Sequence, residues 1–311
     1  MLGSRRFCPR QGWSTAPGRS RNSPSTWARS DRAVRRADGR PGRSRVSVFQ
    51  PSRQTIRRAR ARGAQSPADE GSAGRSSSPT FCGTAPVTGY GTTFPLWRDA
   101  AGPDWAAYTD HAFVRGLGDG TLLRAAFLDY LRQDYLFLIH FARAWALAVT
   151  KAGTLEEMRA CAATVSALID EEMTLHVATC AAAGIDAAAL AATEERLPNI
   201  AYTRFVLDAG HAGDFLDLLA ALAPCVLGYG EIGARLAMAA NAPAYGDWIA
   251  SYGGAEYQQV CRDVGALIDG AVQRRLGADP EKSPRWPGLC AQFRTATRLE
   301  AAFWQMGLDA A

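Results

Sequence analysis

Hydrophobic and polar positions change character once along the chain. Up to about residue 90, single apolar residues are scattered without period among Arg, Ser, Gly and Pro. From about Thr93 the sequence becomes rich in alanine and leucine, with apolar residues three and four apart and few β-branched runs. That is the pattern of amphipathic helices. Phe127, Tyr130, Leu131, Leu138 and Phe141 fall on one face of a helix that follows the turn Gly118-Asp119-Gly120. Met158, Val165, Leu168, Ile169 and Leu175 predict the apolar stripe of a second helix, closing at Gly184. A third helix runs from near Pro198 to about Ala209. Leu218, Leu222, Val226 and Tyr229 mark a fourth, which Ile232 and Leu236 continue. Trp248 to Tyr252 reads as a short helix, Tyr257, Val264, Leu267, Ile268 and Val272 mark another, and the last runs from about Gly288 to Met306. The connections carry Gly, Pro, Asn or Asp, and no internal repeat is visible. The expected fold class is all-α, a single helical bundle over residues 91–311 behind a disordered extension over residues 1–90.

Such an extension cannot bury enough apolar surface to offset chain entropy. Its Arg- and Ser-rich, acid-poor composition is that of an organelle transit peptide, yet no amphipathic stripe accompanies it. Eighteen Arg without a Lys also look like translated GC-rich non-coding sequence, so no function is assigned to it. Those 18 Arg face four acids within residues 1–80, a balance of +14 that leaves −9 for the rest of a chain of net charge +5. The helical part is therefore acidic, and nucleic acid is not an expected partner. Charged residues or glycine interrupt every apolar run short of about 18 residues, so no membrane span is expected. Seven cysteines without a CxxC spacing suit a reducing, cytoplasmic setting with inert buried thiols, not a zinc ribbon or a disulfide framework.

Ligand sites in helical bundles are built from side chains pointing inward, so ionisable residues on apolar stripes carry the information. Asp134 lies seven residues after Phe127 and four before Leu138; Glu300 lies seven after Phe293 and three before Phe303. Either alone could be a carboxylate pairing two helices. Two together, flanked by aromatic residues, favour a site, because a desolvated carboxylate needs a partner or a proton. Cys225 shares a stripe with Leu218, Leu222 and Tyr229. Alone it reads as a small buried hydrophobe. The preceding Pro224 removes a backbone donor, kinks the helix and frees the Ala220 carbonyl. Glu172 and His176, four apart, have the spacing of a metal-ligand pair. With only His111, His140, His176 and His211 available, a structural Glu–His hydrogen bond is the expected reading, and neither metal nor cofactor is expected. Phe137, Tyr202, Tyr229, Tyr252, Phe303 and Trp304 complete a lining suited to a flat nitrogen heteroaromatic.

Seven ordered blocks between about residues 95 and 307 resemble the TenA/thiaminase II family. They are His111-Ala-Phe-Val-Arg with Gly118-Asp-Gly-Thr-Leu, Phe127-x-x-Tyr-Leu-x-Gln-Asp-Tyr-Leu, Glu172-x-x-x-His176, Tyr202-Thr-x-Phe, Ala223-Pro-Cys-Val-x-x-Tyr229-x-Glu-Ile-Gly, Tyr245-x-x-Trp-Ile-x-x-Tyr252 and Leu299-Glu-x-x-Phe-Trp304. The resemblance implies a haem-oxygenase-like all-α fold without haem, assembled as a homotetramer. It implies hydrolysis of 4-amino-5-aminomethyl-2-methylpyrimidine to the hydroxymethyl pyrimidine and ammonia in thiamin salvage, with thiamin as a lesser substrate. Cys225 matches the nucleophile of the cysteine-containing branch, and Glu300 resembles the acid beside the ring nitrogens. Asp134 resembles the carboxylate that binds a ring nitrogen and the 4-amino group. Tyr202 and Tyr229 match site tyrosines, Tyr252 matches one close to the catalytic glutamate, and Phe303 resembles the stacking wall. Phe137 departs from the tyrosine that many relatives carry there. Burial raises a thiol's pKa, so Cys225 needs a stabilising donor from another helix, with Tyr202 the expected one. Three competing readings are a metal-dependent oxidase using Glu172 and His176, a non-catalytic pyrimidine- or thiamin-binding regulatory protein, and a purely structural bundle.

Overall fold

The computed structural model describes residues 89–239 and 243–310. The disordered extension expected over residues 1–90 lies, but for its last two residues, outside them. Three short helices come first: α1 (Thr93–Ala101), α2 (Pro103–Thr109) and α3 (Ala112–Asp119). None of the three was marked by an apolar stripe in the sequence reading. Breaks at Gly102-Pro103 and Asp110-His111 leave each too short to show more than two turns. The His111 ring caps α3 by accepting from the Phe113 N–H at 3.2 Å, and Gly120 ends it in the left-handed region (φ 79°), which favours glycine.

The 28-residue α4 (Arg124–Lys151) follows the expected turn, and its buried face includes Tyr130, Leu131, Asp134, Phe137 and Leu138. Next come α5 (Leu155–Ser166), a π-helical segment (Ala167–Glu172), α6 (Met173–Ala182) and the single-turn α7 (Ala187–Ala191). The remaining helices are α8 (Leu197–Ala212), α9 (Phe215–Ala239), α10 (Gly246–Gly253), α11 (Ala255–Leu276) and α12 (Trp286–Leu308). No strand occurs among the described residues, and the all-α reading holds.

Helix α9 is the axis of the bundle, packed on α8, α10, α11 and α12, while α12 also lies against α1, α2, α4 and α8. Contrary to the sequence expectation, α9 is long and apolar enough to cross a membrane by composition, with a mean hydropathy of 1.5. However, 83% of that stretch is buried, so neighbouring helices already cover its apolar surface. At Gly233 a Cβ would lie 2.4 Å from the Tyr252 carbonyl carbon, so only glycine lets α10 approach this closely.

The second predicted stripe is only partly buried. Leu168 packs inside, but Met158, Ile169 and Leu175 are 40%, 55% and 67% exposed. Glu157, Cys161, His176 and Cys180 face inward instead. Two physical causes account for this. The π segment widens the turn between α5 and α6, which rotates the following face away from a 3.6-residue projection. Glu157 is fully buried because Arg274 and Arg275 each donate to it at 2.7 Å and the Gly153 N–H at 2.6 Å.

Candidate active site

Four helices deliver the polar groups that the sequence singled out. Helix α9 supplies Cys225 and Tyr229, α12 supplies Glu300 and Phe303, α4 supplies Asp134 and Phe137, and α8 supplies Tyr202. All seven are buried. Asn199, one turn before Tyr202, donates to the Gln133 carbonyl at 2.9 Å and ties α8 to α4.

Tyr202 donates to Glu300 Oε1 at 2.7 Å. Its ring lies 5.1 Å from that of Phe137, which in turn meets Phe303 edge-on at 5.5 Å. Burial pushes the Glu300 carboxyl up to about 8, with hydrogen bonds from Tyr202 and Cys225 pulling the other way and the charge of Asp134 adding to the rise. Burial likewise lifts the Cys225 thiol well above the ordinary thiol range, and the charges of Glu300, Glu172 and Asp134 lift it further. The charge of Asp134 thus reaches Glu172, Glu300 and Cys225, and among the described residues the main causes of these shifts include no cation. The expectation that Tyr202 stabilises the thiolate needs correction, because its proton is committed to Glu300. The thiol's own shift is governed after burial by the charge of Glu300, so Glu300 is the nearest acid–base partner the site offers it.

On α4, burial pushes the Asp134 carboxyl up to about 7, and the hydroxyl of Tyr130, one turn earlier, pulls the other way. The Trp248 indole donates to the Tyr130 hydroxyl at 3.3 Å. Asp134 Oδ2 lies 3.5 Å from His176 Nδ1, and His176 Nε2 lies 2.7 Å from the Leu131 carbonyl. The expected Glu172–His176 hydrogen bond is absent, because the ring is turned onto α4. Glu172 instead accepts from the Tyr252 hydroxyl at 3.5 Å and is raised to about 7 by burial and by the charge of Asp134. Tyr252 is thus partnered with Glu172, not with Glu300. Among the described residues, no group of three or more His, Cys, Asp or Glu side chains is arranged to hold a metal ion. Tyr229 joins the two sides of the cluster, with its ring 4.9 Å from Tyr252 and 5.2 Å from Trp304.

Tyr130, Tyr108 and Tyr257 were not read as site residues. Tyr108 donates to the Pro224 carbonyl and Tyr257 to the Val226 carbonyl, both at 3.3 Å, so the backbone is clasped on either side of Cys225. The signal for Tyr130 was its position four residues before Asp134 on the same face. Tyr108 and Tyr257 gave none, because their role depends on tertiary packing.

Chemically, this buried cluster combines a thiol, a raised carboxyl hydrogen-bonded by a tyrosine, and a second carboxyl backed by an imidazole, among aromatic rings. That set suits attack on an electron-poor ring with proton transfer at its nitrogens.

Residues 98–310, more than half of the chain, match the family model TENA/THI-4/PQQC family. A Halalkalibacterium halodurans protein named aminopyrimidine aminohydrolase is 35% identical over 214 residues, 68% of this chain and 93% of the relative. A Helicobacter pylori protein of the same name is 31% identical over 205 residues, 65% of this chain and 92% of the relative. A crystal structure from a Silicibacter species, described as a TenA family transcription regulator, is 62% identical with a TM-score of 0.70. The match covers 70% of this chain and 97% of that one. A TenA homologue from Pyrococcus horikoshii shares the fold, with 24% identity, a TM-score of 0.63, and coverage of 70% of this chain and 99% of its own. The chain belongs to the TENA/THI-4/PQQC family.

Proposed function

We propose that the protein is an aminopyrimidine aminohydrolase acting in thiamin salvage. Its substrate is 4-amino-5-aminomethyl-2-methylpyrimidine, and thiamin is a lesser one. The observation that supports the reading is that Cys225, Glu300 and Asp134, buried on three different helices, are close enough for the charges of Glu300 and Asp134 to act on the thiol, with Tyr202 joining Glu300 to the rings of Phe137 and Phe303. The names of the Halalkalibacterium and Helicobacter relatives support the reaction class.

Asp134 binds the amidine edge of the ring, Phe137 and Phe303 pack on it, and Tyr202, Tyr229 and Tyr252 wall it in. Cys225 attacks the ring carbon next to the one bearing the aminomethyl group. Its proton passes to Glu300 and on to the adjacent ring nitrogen, so no free thiolate stands among three carboxyls. The ring's displaced electron pair then expels ammonia from the side chain and leaves an exocyclic methylene. Water adds to that carbon and gives its proton to the expelled ammonia, the carbon–sulfur bond breaks, and Glu300 carries the ring proton back to the thiolate. The substrate's ammonium supplies the positive charge that the protein's own side chains omit here. No metal or cofactor takes part.

The test is to incubate the protein with the aminomethyl pyrimidine and with thiamin, and to measure ammonia and thiazole release side by side. Ammonia release supports the reading; release of neither product overturns it. A regulatory reading is favoured by the description of the Silicibacter protein. It requires pyrimidine binding without ammonia release by the wild type. A homotetramer is part of the proposal, and the exposed apolar side chains of Met158, Ile169 and Leu175 are candidates for its interfaces. Sedimentation of the wild type as a monomer would remove that part of the proposal.

A further inference from the structure

The Asp134–His176 contact carries a consequence that the covalent chemistry does not use. A carbonyl oxygen only accepts hydrogen bonds, so the 2.7 Å contact with Leu131 requires a proton on His176 Nε2. In the neutral ring, Nδ1 is then a lone pair, and it points at Asp134 Oδ2 from 3.5 Å. A carboxylate and a lone pair do not face each other stably inside a protein. One proton between them relieves the conflict, whether it sits on the carboxyl or on the ring. A second proton would set a carboxylic acid against an imidazolium, which burial disfavours.

We infer that Asp134 and His176 hold a single proton in common, and that His176 thereby keeps Asp134 able both to donate to and to accept from the amidine edge of a neutral 4-aminopyrimidine. Such an edge presents a ring-nitrogen lone pair beside an amine N–H. A carboxylate offers two acceptors and meets the ring nitrogen lone pair to lone pair. A carboxyl that keeps its proton donates to the ring nitrogen through one oxygen and accepts from the amine through the other. When the edge docks, the shared proton turns from the imidazole to the ring nitrogen, and no bond to carbon changes.

His176 is thus a positioning residue acting through Asp134. The other titratable groups around the pair are Tyr130 on α4, Glu172 before α6, Cys180 on α6, Cys225 and Tyr229 on α9, Tyr252 on α10 and Glu300 on α12. All are acids, so each further negative charge strengthens the pair's hold on its proton.

This inference rests on the proposed function and is tested by binding, not turnover. The probe is 4-amino-2,5-dimethylpyrimidine, which has no leaving group, titrated calorimetrically from pH 6 to 9. Wild-type affinity is expected to change less than about threefold between pH 6 and 8.5. His176→Gln keeps an amide donor for the Leu131 carbonyl but removes the Nδ1 partner. Its affinity is expected to fall toward about tenfold per pH unit once Asp134 ionises alone. Parallel profiles for the two proteins would overturn the shared proton while leaving the binding slot intact. A wild type that does not bind the probe at any pH would overturn the functional reading and this pairing with it. A readout that needs no variant is the nitrogen-15 spectrum of His176. A proton on Nε2 across neutral pH is expected, and a neutral ring carrying it on Nδ1 would overturn the inference.

Discussion

Helix α9 and the stretch from α5 through α6 share a composition, alanine-rich with leucine and methionine at helical spacing, but meet opposite fates. In α9 the apolar stripe is inside, with Leu218, Leu222 and Ile232 at most 1% exposed. In α5–α6 much of the stripe is outside, and a carboxylate, an imidazole and two thiols are inside. The difference teaches that periodicity identifies a helix, whereas the chemistry of its neighbours decides which face is buried. Around the stripe of Leu218, Leu222 and Ile232 the neighbouring helices pack tightly enough to leave these side chains at most 1% exposed, and the polar partners of α9, such as Arg98 on Glu231 and Gln258 on the Gly230 carbonyl, meet it on other faces. Beneath α5–α6 lie the carboxyl of Asp134, the carbonyl of Leu131 and two arginines of α11, which recruit polar groups.

The contrast breaks most sharply at the thiol. Cys225→Ser keeps the shape of the α9 wall but removes the nucleophile. Ammonia release is expected to fall by at least about 10³-fold while binding of the dimethyl probe persists. Near-normal turnover would refute the covalent route without touching the family assignment. A pair of truncations sharpens the comparison next. Leu222→Ala in α9 is expected to cost about 3 kcal/mol in urea unfolding. Leu175→Ala in α6 is expected to change monomer stability by no more than about 0.5 kcal/mol. Equal losses measured on the dissociated monomer would mean that Leu175 packs within its own chain instead of facing outward as described here.

Tyr202→Phe removes the donor that holds Glu300 down. In the proposed mechanism Glu300 must be ionised to receive the thiol proton, so kcat/KM rises with pH through its titration near 8. The variant is expected to move that rise to higher pH, and an unmoved limb would dissociate Glu300 from it. The smallest effect concerns Glu157. Its two arginines hold the carboxyl at about 2, against an ordinary value of 4.5. A depressed folded-state value stabilises the fold above the unfolded value and loses that contribution as pH falls. Wild-type stability should therefore decline between about pH 4.5 and 2, and Glu157→Gln should flatten that part of the curve.

The long helices were legible because α4, α9 and α12 each carry one uninterrupted period. Asp134, Cys225 and Glu300 stood out as polar interruptions of it. The π segment was not legible, since nothing in Ala167–Glu172 departs from an ordinary helical sequence. Without that segment the partners of Glu172 and His176 could not be assigned, and the Glu–His bond expected from their spacing is replaced by contacts to Tyr252 and Asp134. Tyr108 and Tyr257 act through carbonyls on a distant helix, a relation that no local pattern encodes.

Those two hydroxyls have a kinetic corollary. With the Pro224 and Val226 carbonyls that flank Cys225 each held by a hydroxyl from a different helix, the sulfur can swing about its own side-chain torsion, but its anchor cannot lean toward a poorly seated ring. Reach is then set by the guest, and a misfit of about 1 Å in the ring's position costs roughly 10²-fold in rate. The protein would discriminate among flat heterocycles by how fast it consumes them more than by how tightly it holds them.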